Sequence, residues 1–339
     1  MLLAWLSHCA GVLPPPGPHF STLQLFVVQL ATPALLLGAD VRAIVQRTGR
    51  MSAAFGVGAV GTTLGAVVGF VALAPHMRAL GELPGDGWKL AAALAAKNIG
   101  GGFNYVAVAT ATGLSAPALA AGLVADNVAG LVYFPAVSVI GRNARESDSS
   151  GTADVMASGG AVDTADAPPP SLEATLASVG LSCALTAASQ ALSPANSLPV
   201  ATALTVALAT AAPSALRHVA PAGDAIGALL LYLFFASAGA SAGDPTRAAA
   251  YAPLFAFLAV LYCVHAGVML LVCRSAGFSV PETLLASNAN IGGPATAASL
   301  ADAAGWKALR TPAMLVGCLG NAVATFIGLT LGNILLSRL

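Results

Sequence analysis

Charge is what this chain has least of. Only 14 Lys+Arg and 14 Asp+Glu occur among 339 residues, 8% of the total, where a soluble domain carries about 25%. So few charges cannot cover the surface of a water-soluble protein of this length. With 57% apolar residues and a mean hydropathy of +0.82, the solvent that fits is a lipid bilayer. Positive and negative charges balance and no long Lys/Arg run occurs, which excludes a basic face and with it a nucleic-acid partner. Cysteine is scarce too. Cys9, Cys183, Cys263, Cys273 and Cys318 are odd in number, scattered and mostly set in apolar runs, so they exclude a disulfide scaffold and read as small core residues. There is no Ser/His/Asp set and no metal-ligand cluster, and the glycine run 100–102 fits neither a P-loop nor a dinucleotide fingerprint. Neither an enzymatic activity nor a cofactor is expected.

What the chain does have is a succession of apolar runs. A helix rising 1.5 Å per residue needs about 20 residues to cross a hydrocarbon core of about 30 Å. That ruler predicts an all-α integral membrane protein with ten transmembrane helices, over 22–38, 52–73, 89–111, 117–140, 171–193, 198–214, 223–241, 251–273, 279–302 and 312–335. Helices are favoured over a barrel because the runs are continuous and Ala/Leu-rich, without a two-residue alternation. Residues 1–20 are too short to cross, lack a basic leading segment and run into Pro14–Pro16. They read either as a signal-like apolar segment or as the remnant of a longer helix, which would leave the first repeat truncated. Residues 141–170 gather two Arg, five acids and many Ser, Gly and Pro. Such a stretch buries too little apolar surface to offset its ordering entropy, so a disordered polar linker is expected there. It separates an N-terminal membrane repeat, 1–140, from a C-terminal one, 171–339. Arg42, Arg47 and Arg50 make the densest basic loop, but Lys and Arg sum evenly over the two sides and do not orient the chain.

The two halves resemble each other. Residues 98–113 read NIGGGFNYVAVATATG and residues 290–305 read NIGGPATAASLADAAG, so Asn98-Ile99-Gly100-Gly101 aligns without a gap on Asn290-Ile291-Gly292-Gly293. The flanking spans correspond as well: 22–38 with 223–241, 52–73 with 251–273, and 117–140 with 312–335. The last span of each half carries a polar residue about nine positions in, Asp126-Asn127 and Asn321. Consecutive glycines, or Gly-Gly-Pro, in the middle of a span should interrupt the helix. Non-helical backbone survives at membrane depth only inside protein or beside a water-filled cavity. There, half-helix N-termini attract anions and freed carbonyls attract cations. Matched interruptions in two halves therefore point to a transporter's substrate site, while the plainer alternative is glycine serving close helix packing.

Few polar groups lie at depth. Asp126 sits about 14 Å into its span by the helical rise, where a carboxylate usually lines an ion or proton path. It is the candidate ligand for a coupling Na⁺ or H⁺, the alternative being a structural aspartate bonded to a helix break. Lys97 either pairs with Asp126, competes with a cation for it, or snorkels near a half-helix end. Asn98, Asn104, Asn288, Asn290 and Thr296 flank the breaks and suit Na⁺ or a polar solute, or cap the half-helices. With Gly100, Gly101, Gly292, Gly293, Asn127 and Asn321 they complete the candidate site. Glu282 and Asp302 bound the second break and read as interfacial. His265, alone in its span, reads as an interhelical hydrogen-bonder.

At these residues the chain resembles a known family. The stretches LLLGADVRAIVQRTGR, KNIGGGFNYVAVA, VADNVAGLVYF, LLLYLFFASAGASAGD and ASNANIGGPATAASLADAAGWKALRTPAMLVGCLGNAVATFIGLTLGNIL are similar to the multi-pass membrane family called domain of unknown function 819, known from bacteria, plants and algae. The resemblance covers about 22–336 apart from the linker. It implies a place in the cation:proton antiporter and anion transporter superfamily, whose members cross two broken helices at a central site. Sodium/proton antiporters of that superfamily keep an acidic or Asn-Asp pair after the first broken helix, whereas this chain has Asp126-Asn127 in the reverse order. The expectation is therefore an inverted-repeat transporter moving a small solute or ion by coupling to Na⁺ or H⁺. Its alternative is a non-transporting membrane scaffold or sensor. The expected partners are the bilayer, the solute or ion, and a second copy in a homodimer. The expected location is a plastid or plasma membrane.

Overall fold

The computed structural model describes residues 18–80, 85–142, 169–240 and 251–339, with residues 7, 11, 12 and 144. Most of the leading segment 1–20 and most of the expected linker 141–170 lie outside the described residues. Among the described residues the regular elements are all helices and none is a strand. In chain order the main ones are α1 (Pro18–Leu36), α2 (Val41–Thr48), α3 (Arg50–Ala72), α4 (Asp86–Gly100), α5 (Gly102–Thr112), α6 (Ala116–Gly141), α7 (Leu172–Leu192), α8 (Ser197–Ala211), α9 (Ala220–Ala240), α10 (Pro253–Val268), α11 (Val280–Ile291), α12 (Pro294–Ala304) and α13 (Arg310–Thr330). One π-helical turn extends α10 through Met269–Cys273 and another extends α13 through Leu331–Leu335.

Six helices among the described residues are long and apolar enough to cross a membrane: α3, α6, α7, α9, α10 with its π turn, and α13 with its flanking turns. Each coincides with an expected span. The other four expected spans are not single long helices, and each has a local reason. The run 22–38 ends at Leu36 and continues, after Asp40 caps the next helix by accepting from Ala43 N–H at 3.0 Å, as α2 at a 51° bend. The run 198–214 gives α8, whose 15 residues span about 22 Å, short of a hydrocarbon core. The runs 89–111 and 279–302 are each split into two shorter helices at their glycines.

The helices pack largely through small residues, as helices do where lipid supplies no hydrophobic drive for association. Helix α9 lies along α1, and α10 along α3. On that second seam a Cβ at Gly65 would stand 2.7 Å from the Leu261 carbonyl oxygen. Helix α13 packs against α4, α5, α11 and α12, so one helix touches both interrupted pairs. Large apolar side chains cover the outer faces, among them Leu131, Val132 and Ile140 on α6, Leu172 and Leu176 on α7, and Leu229 and Tyr232 on α9. Two cysteines correct the expectation of core residues: Cys183 and Cys263 are exposed among such side chains, while Cys273 is buried. A thiol's small apolar bulk suits a lipid-facing surface as well as a core.

Candidate functional site

At the first interruption α4 ends at Gly100 and α5 begins at Gly102, with Gly101 between them at φ 88°, ψ −178°. At the second, α11 ends at Ile291 and α12 begins at Pro294, with Gly293 at φ 85°, ψ −170°. This backbone region is essentially open to glycine alone, and both positions occupy the same place in the Asn-Ile-Gly-Gly repeat. The likeness extends further. Asn98 Nδ2 donates to Leu94 O at 2.9 Å, and Asn290 Nδ2 to Ala286 O at 2.9 Å, each four residues back. Asn104 Nδ2 donates to Gly100 O at 2.6 Å, and Thr296, its counterpart in the repeat, donates to Gly293 O at 3.1 Å. Helices α5 and α12 each have 11 residues and end at glycines with positive φ, Gly113 and Gly305. The Oδ1 atoms of Asn98 and Asn290 are both buried without a hydrogen-bond partner.

The last helix approaches both interruptions closely enough to require glycine. A Cβ on Gly320 would overlap the Ile99 carbonyl oxygen, and one on Gly317 would stand 2.6 Å from Pro294 Cα. Asn321 Oδ1 lies 3.7 Å from where a Cβ on Gly101 would stand.

Charge gathers at the first interruption. Lys97 Nζ hydrogen-bonds and ion-pairs with Asp126 Oδ2. Asn98 Nδ2 donates to Asp126 Oδ1 at 2.7 Å, and Tyr262 OH reaches the same oxygen at 3.4 Å. Asp126 is 3% exposed, so this carboxylate is held among an ammonium, an amide and a phenol with almost no access to water. A buried charge without such partners would be costly. Asn127, the next residue, is exposed and lies apart from this group, because successive residues on a helix point about 100° apart.

A chain of hydrogen bonds runs from α4, just before the first interruption, to α11, the helix that leads into the second. Thr62 Oγ1 donates to Asn98 O at 3.2 Å and lies 2.9 Å from His265 Nδ1, which also sits 3.1 Å from Gly58 O. His265 Nε2 is 2.8 Å from Ser287 Oγ, and Ser287 Oγ is 2.7 Å from Tyr133 OH. His265 is therefore an interhelical hydrogen-bonder joining α3, α10 and α11. Thr62, Tyr133, Tyr262 and Ser287 are the members that sequence reasoning did not single out. Tyr133 and Tyr262 stand in apolar runs, Thr62 and Ser287 beside Thr63 and Asn288, and only the fold supplies their partners.

The second interruption carries no charge of its own. Asn290 Nδ2 also donates to Phe55 O at 3.1 Å. Asn288 is 2% exposed with its Oδ1 unpartnered, and it lines an open cavity of about 300 Å³ with Phe134, Ser138, Thr296, Ser299 and Leu300. Glu282, expected at the interface, is 1% exposed. It caps α11 through a reciprocal pair with Ser279, at 2.9 and 3.2 Å, and lies 3.6 Å from Arg50. Asp302 is exposed and pairs with Arg310 at 3.0 Å. Among the described residues no cluster of three or more His, Cys, Asp or Glu is arranged to hold a metal ion.

Comparison with known proteins agrees with a membrane chain of this kind. The family model described as "Protein of unknown function (DUF819)" matches residues 1–338. A relative from Bacillus subtilis (strain 168), named "Uncharacterized membrane protein YjcL", is 30% identical over 346 residues, covering 95% of this chain and 85% of that protein.

Proposed function

The chain belongs to the DUF819 family of multi-pass membrane proteins, and from that premise we propose that it is a secondary transporter. It would move a small solute or ion by alternating access, coupled to Na⁺ or H⁺, through a site between the interruptions at 98–102 and 290–294. The observation that carries this reading is Asp126, a carboxylate buried at mid-helix and held by Lys97, Asn98 and Tyr262 beside an interrupted helix. Such a group is expensive in a membrane and typical of ion or proton paths. Matched interruptions in two halves are the usual construction of a transporter site.

An inverted repeat fits the same observations. The pairing of α1 with α9 and of α3 with α10 is what an axis relating the halves would produce. If α8 does not cross, and each interrupted pair counts as one span, the interruptions are the third and eighth spans. Equivalent spans then run in opposite directions.

The test is flux into proteoliposomes under an imposed Na⁺ or H⁺ gradient, comparing the wild type with Asp126→Asn. Gradient-driven flux that disappears in the variant is the expected result. Flux indifferent to the substitution would remove the carboxylate from the coupling. No gradient-driven flux of any solute would favour a membrane scaffold or sensor.

A further inference from the structure

The outer ends of each interrupted pair meet. If α4 and α5 ran on as one rod, Asp86 and Ser115 would stand about 40 Å apart by the helical rise. Instead Ser115 Oγ donates to Asp86 Oδ2 at 2.6 Å, Ser115 N–H donates to Asp86 Oδ1 at 3.2 Å, and Lys89 Nζ donates to Gly113 O at 3.0 Å. The chain therefore goes in along α4, turns at Gly101 and comes back along α5. The second pair does the same. A Cβ on Gly141, at the end of α6, would stand 3.3 Å from Leu284 Cδ1 on α11 and 3.0 Å from the ring of Trp306, just past α12. On one rod Leu284 and Trp306 would be about 33 Å apart. Trp306 Nε1 also donates to Ala144 O at 3.2 Å, beyond the end of α6. With arms of 11 to 15 residues, about 16–22 Å each, both hairpins turn back inside a core of about 30 Å.

The two hairpins enter from opposite faces. Helix α6 has 26 residues and is apolar enough to cross. Along it, Leu119 O accepts from Tyr105 OH and Asp126 accepts from Asn98; further on, Tyr133 bonds Ser287, and Gly141 meets Leu284 and Trp306. The first hairpin thus lies against the opening half of α6 and the second against its closing half. Along α13 the order is reversed. Gly317 meets Pro294, Gly320 meets Ile99, and Gly328 and Gly332 meet Ala92 on α4. The tips therefore meet at mid-depth while the outer ends lie on opposite sides. The end of α6 and the start of α11 share a face, so an even number of crossings must separate them. Helices α7, α8, α9 and α10 supply four, the short α8 included. With the bent α1–α2 as the first crossing, α3 and α10 are the second and seventh. The halves keep their opposed directions although neither interrupted pair crosses.

The hairpins differ in how they are covered. Residues 90–96 of α4 and 105–109 of α5 are 0% exposed. Helix α12 is exposed at Ala295, Ser299, Asp302 and Ala303, where lipid-facing α6 presents Leu131, Val132 and Ile140. A face with a serine and an aspartate and no large apolar side chain suits water rather than lipid. The open cavity of about 300 Å³ separates α12 from α6, running from Asn288 and Thr296 near the tip to Ala303 near the outer end.

We propose that the interrupted pairs are re-entrant hairpins entering from opposite faces, and that in this state α11–α12 leaves a water path from its own face towards the tips while α4–α5 seals the other face. Each hairpin is then the gate of one face. The gating role rests on the transporter reading above and deepens it, whereas the topology and the path can be measured without transport.

The experiment introduces single cysteines into the full-length protein and labels them with a membrane-impermeant maleimide in sealed vesicles of known orientation. Peptide masses tell the introduced thiols from the native ones. His76, Ala116, Ser275 and Lys307 are exposed positions flanking the hairpins. His76→Cys and Ala116→Cys should be labelled from one face, and Ser275→Cys and Lys307→Cys from the other. Labelling of the two members of either pair from opposite faces would restore a crossing helix and overturn the topology. Ser299→Cys should be labelled from the face of Ser275, at least about tenfold faster than Ala107→Cys, its counterpart in the repeat, because a buried thiol reacts only through local opening. Ser299 is exposed and Ala107 buried, so Ser299→Cys carries this test alone if Ala107→Cys does not fold. Labelling of Ser299→Cys from the face of His76, no labelling of it, or equal rates at the two positions would remove the one-sided path. The expected labelling in a protein without gradient-driven flux would sink the transporter reading and leave the hairpins standing. Asp126-dependent flux with opposite-face labelling would do the reverse.

Discussion

The two interruptions share a backbone and differ in what they hold. Gly101 and Gly293 have nearly the same φ and ψ, and the asparagine three residues before each anchors the preceding turn in the same way. Around the first stand Lys97, Asp126 and Tyr262. Around the second stand hydroxyls, an amide and a cavity without charge. The shared part is what glycine geometry and helix capping require of any chain that stops and restarts a helix in a low-dielectric interior. The differing part is free to be specialised, because side chains one turn away do not alter the break. That separation lets the first interruption hold a buried ion pair while the second holds none.

The largest effect that sharpens the contrast is expected from the ion pair. Lys97→Met leaves a carboxylate that is 3% exposed without its ammonium, and should cost about 3–5 kcal/mol, read as a lowered unfolding midpoint in detergent. The double variant Lys97→Met/Asp126→Leu should recover much of that loss. No single substitution of a residue lining the second interruption's cavity should approach it, and one that did would break the contrast.

An intermediate effect tests what the two have in common. Gly101→Ala and Gly293→Ala each force a side chain into a backbone region suited only to glycine. No neighbour stands within 3.4 Å of either added Cβ, so the penalty is conformational and should be about 1–3 kcal/mol at both positions. Clearly unequal losses, measured by the same unfolding assay, would mean that the two breaks are not the same structure.

The smallest effect separates their caps. Thr296→Val removes one hydrogen bond, to Gly293 O, and should cost about 1 kcal/mol. Asn104→Val removes the bond to Gly100 O and also strands the Thr325 hydroxyl, which donates to Asn104 Oδ1 at 2.7 Å, so its cost should be larger. Equal melting temperatures for the two variants would contradict this ordering.

Much of this arrangement was legible in the sequence, for identifiable reasons. Scarcity of charge identifies the solvent. Apolar runs that reach the membrane's thickness without a break locate six long helices, because length and hydropathy are local properties. The Asn-Ile-Gly-Gly pairs mark where α4 and α11 end, because glycine's backbone preferences are local too. Asp126 and Lys97 were conspicuous as charges in apolar runs, and the proximity of the two was open to conjecture from one chain. The length of α8 was less readable, since its Ala/Leu-rich run continues past Ala211 and only the chain's turn at Ala212 shortens it. The relay through Thr62, His265, Ser287 and Tyr133 was not readable at all. Its members come from four helices and up to 225 positions of separation, with no periodicity to link them. Asn127 shows the opposite error: adjacency in sequence to Asp126 suggested a pair, and helical rotation sends it to the exterior.

Gly317 and Gly320 lie three residues apart on one continuous helix, the first against Pro294 and the second against Ile99 and Gly100. Two bearings on one shaft cannot be loosened one at a time. A rotation or slide of α13 that relieves the contact at one interruption changes the clearance at the other. Any occupant whose binding alters that clearance therefore shifts the affinity of the other occupant, and by reciprocity the second shifts the first by the same factor. Coupling between the two interruptions would need no messenger beyond this one helix, cut thin at two places along its length.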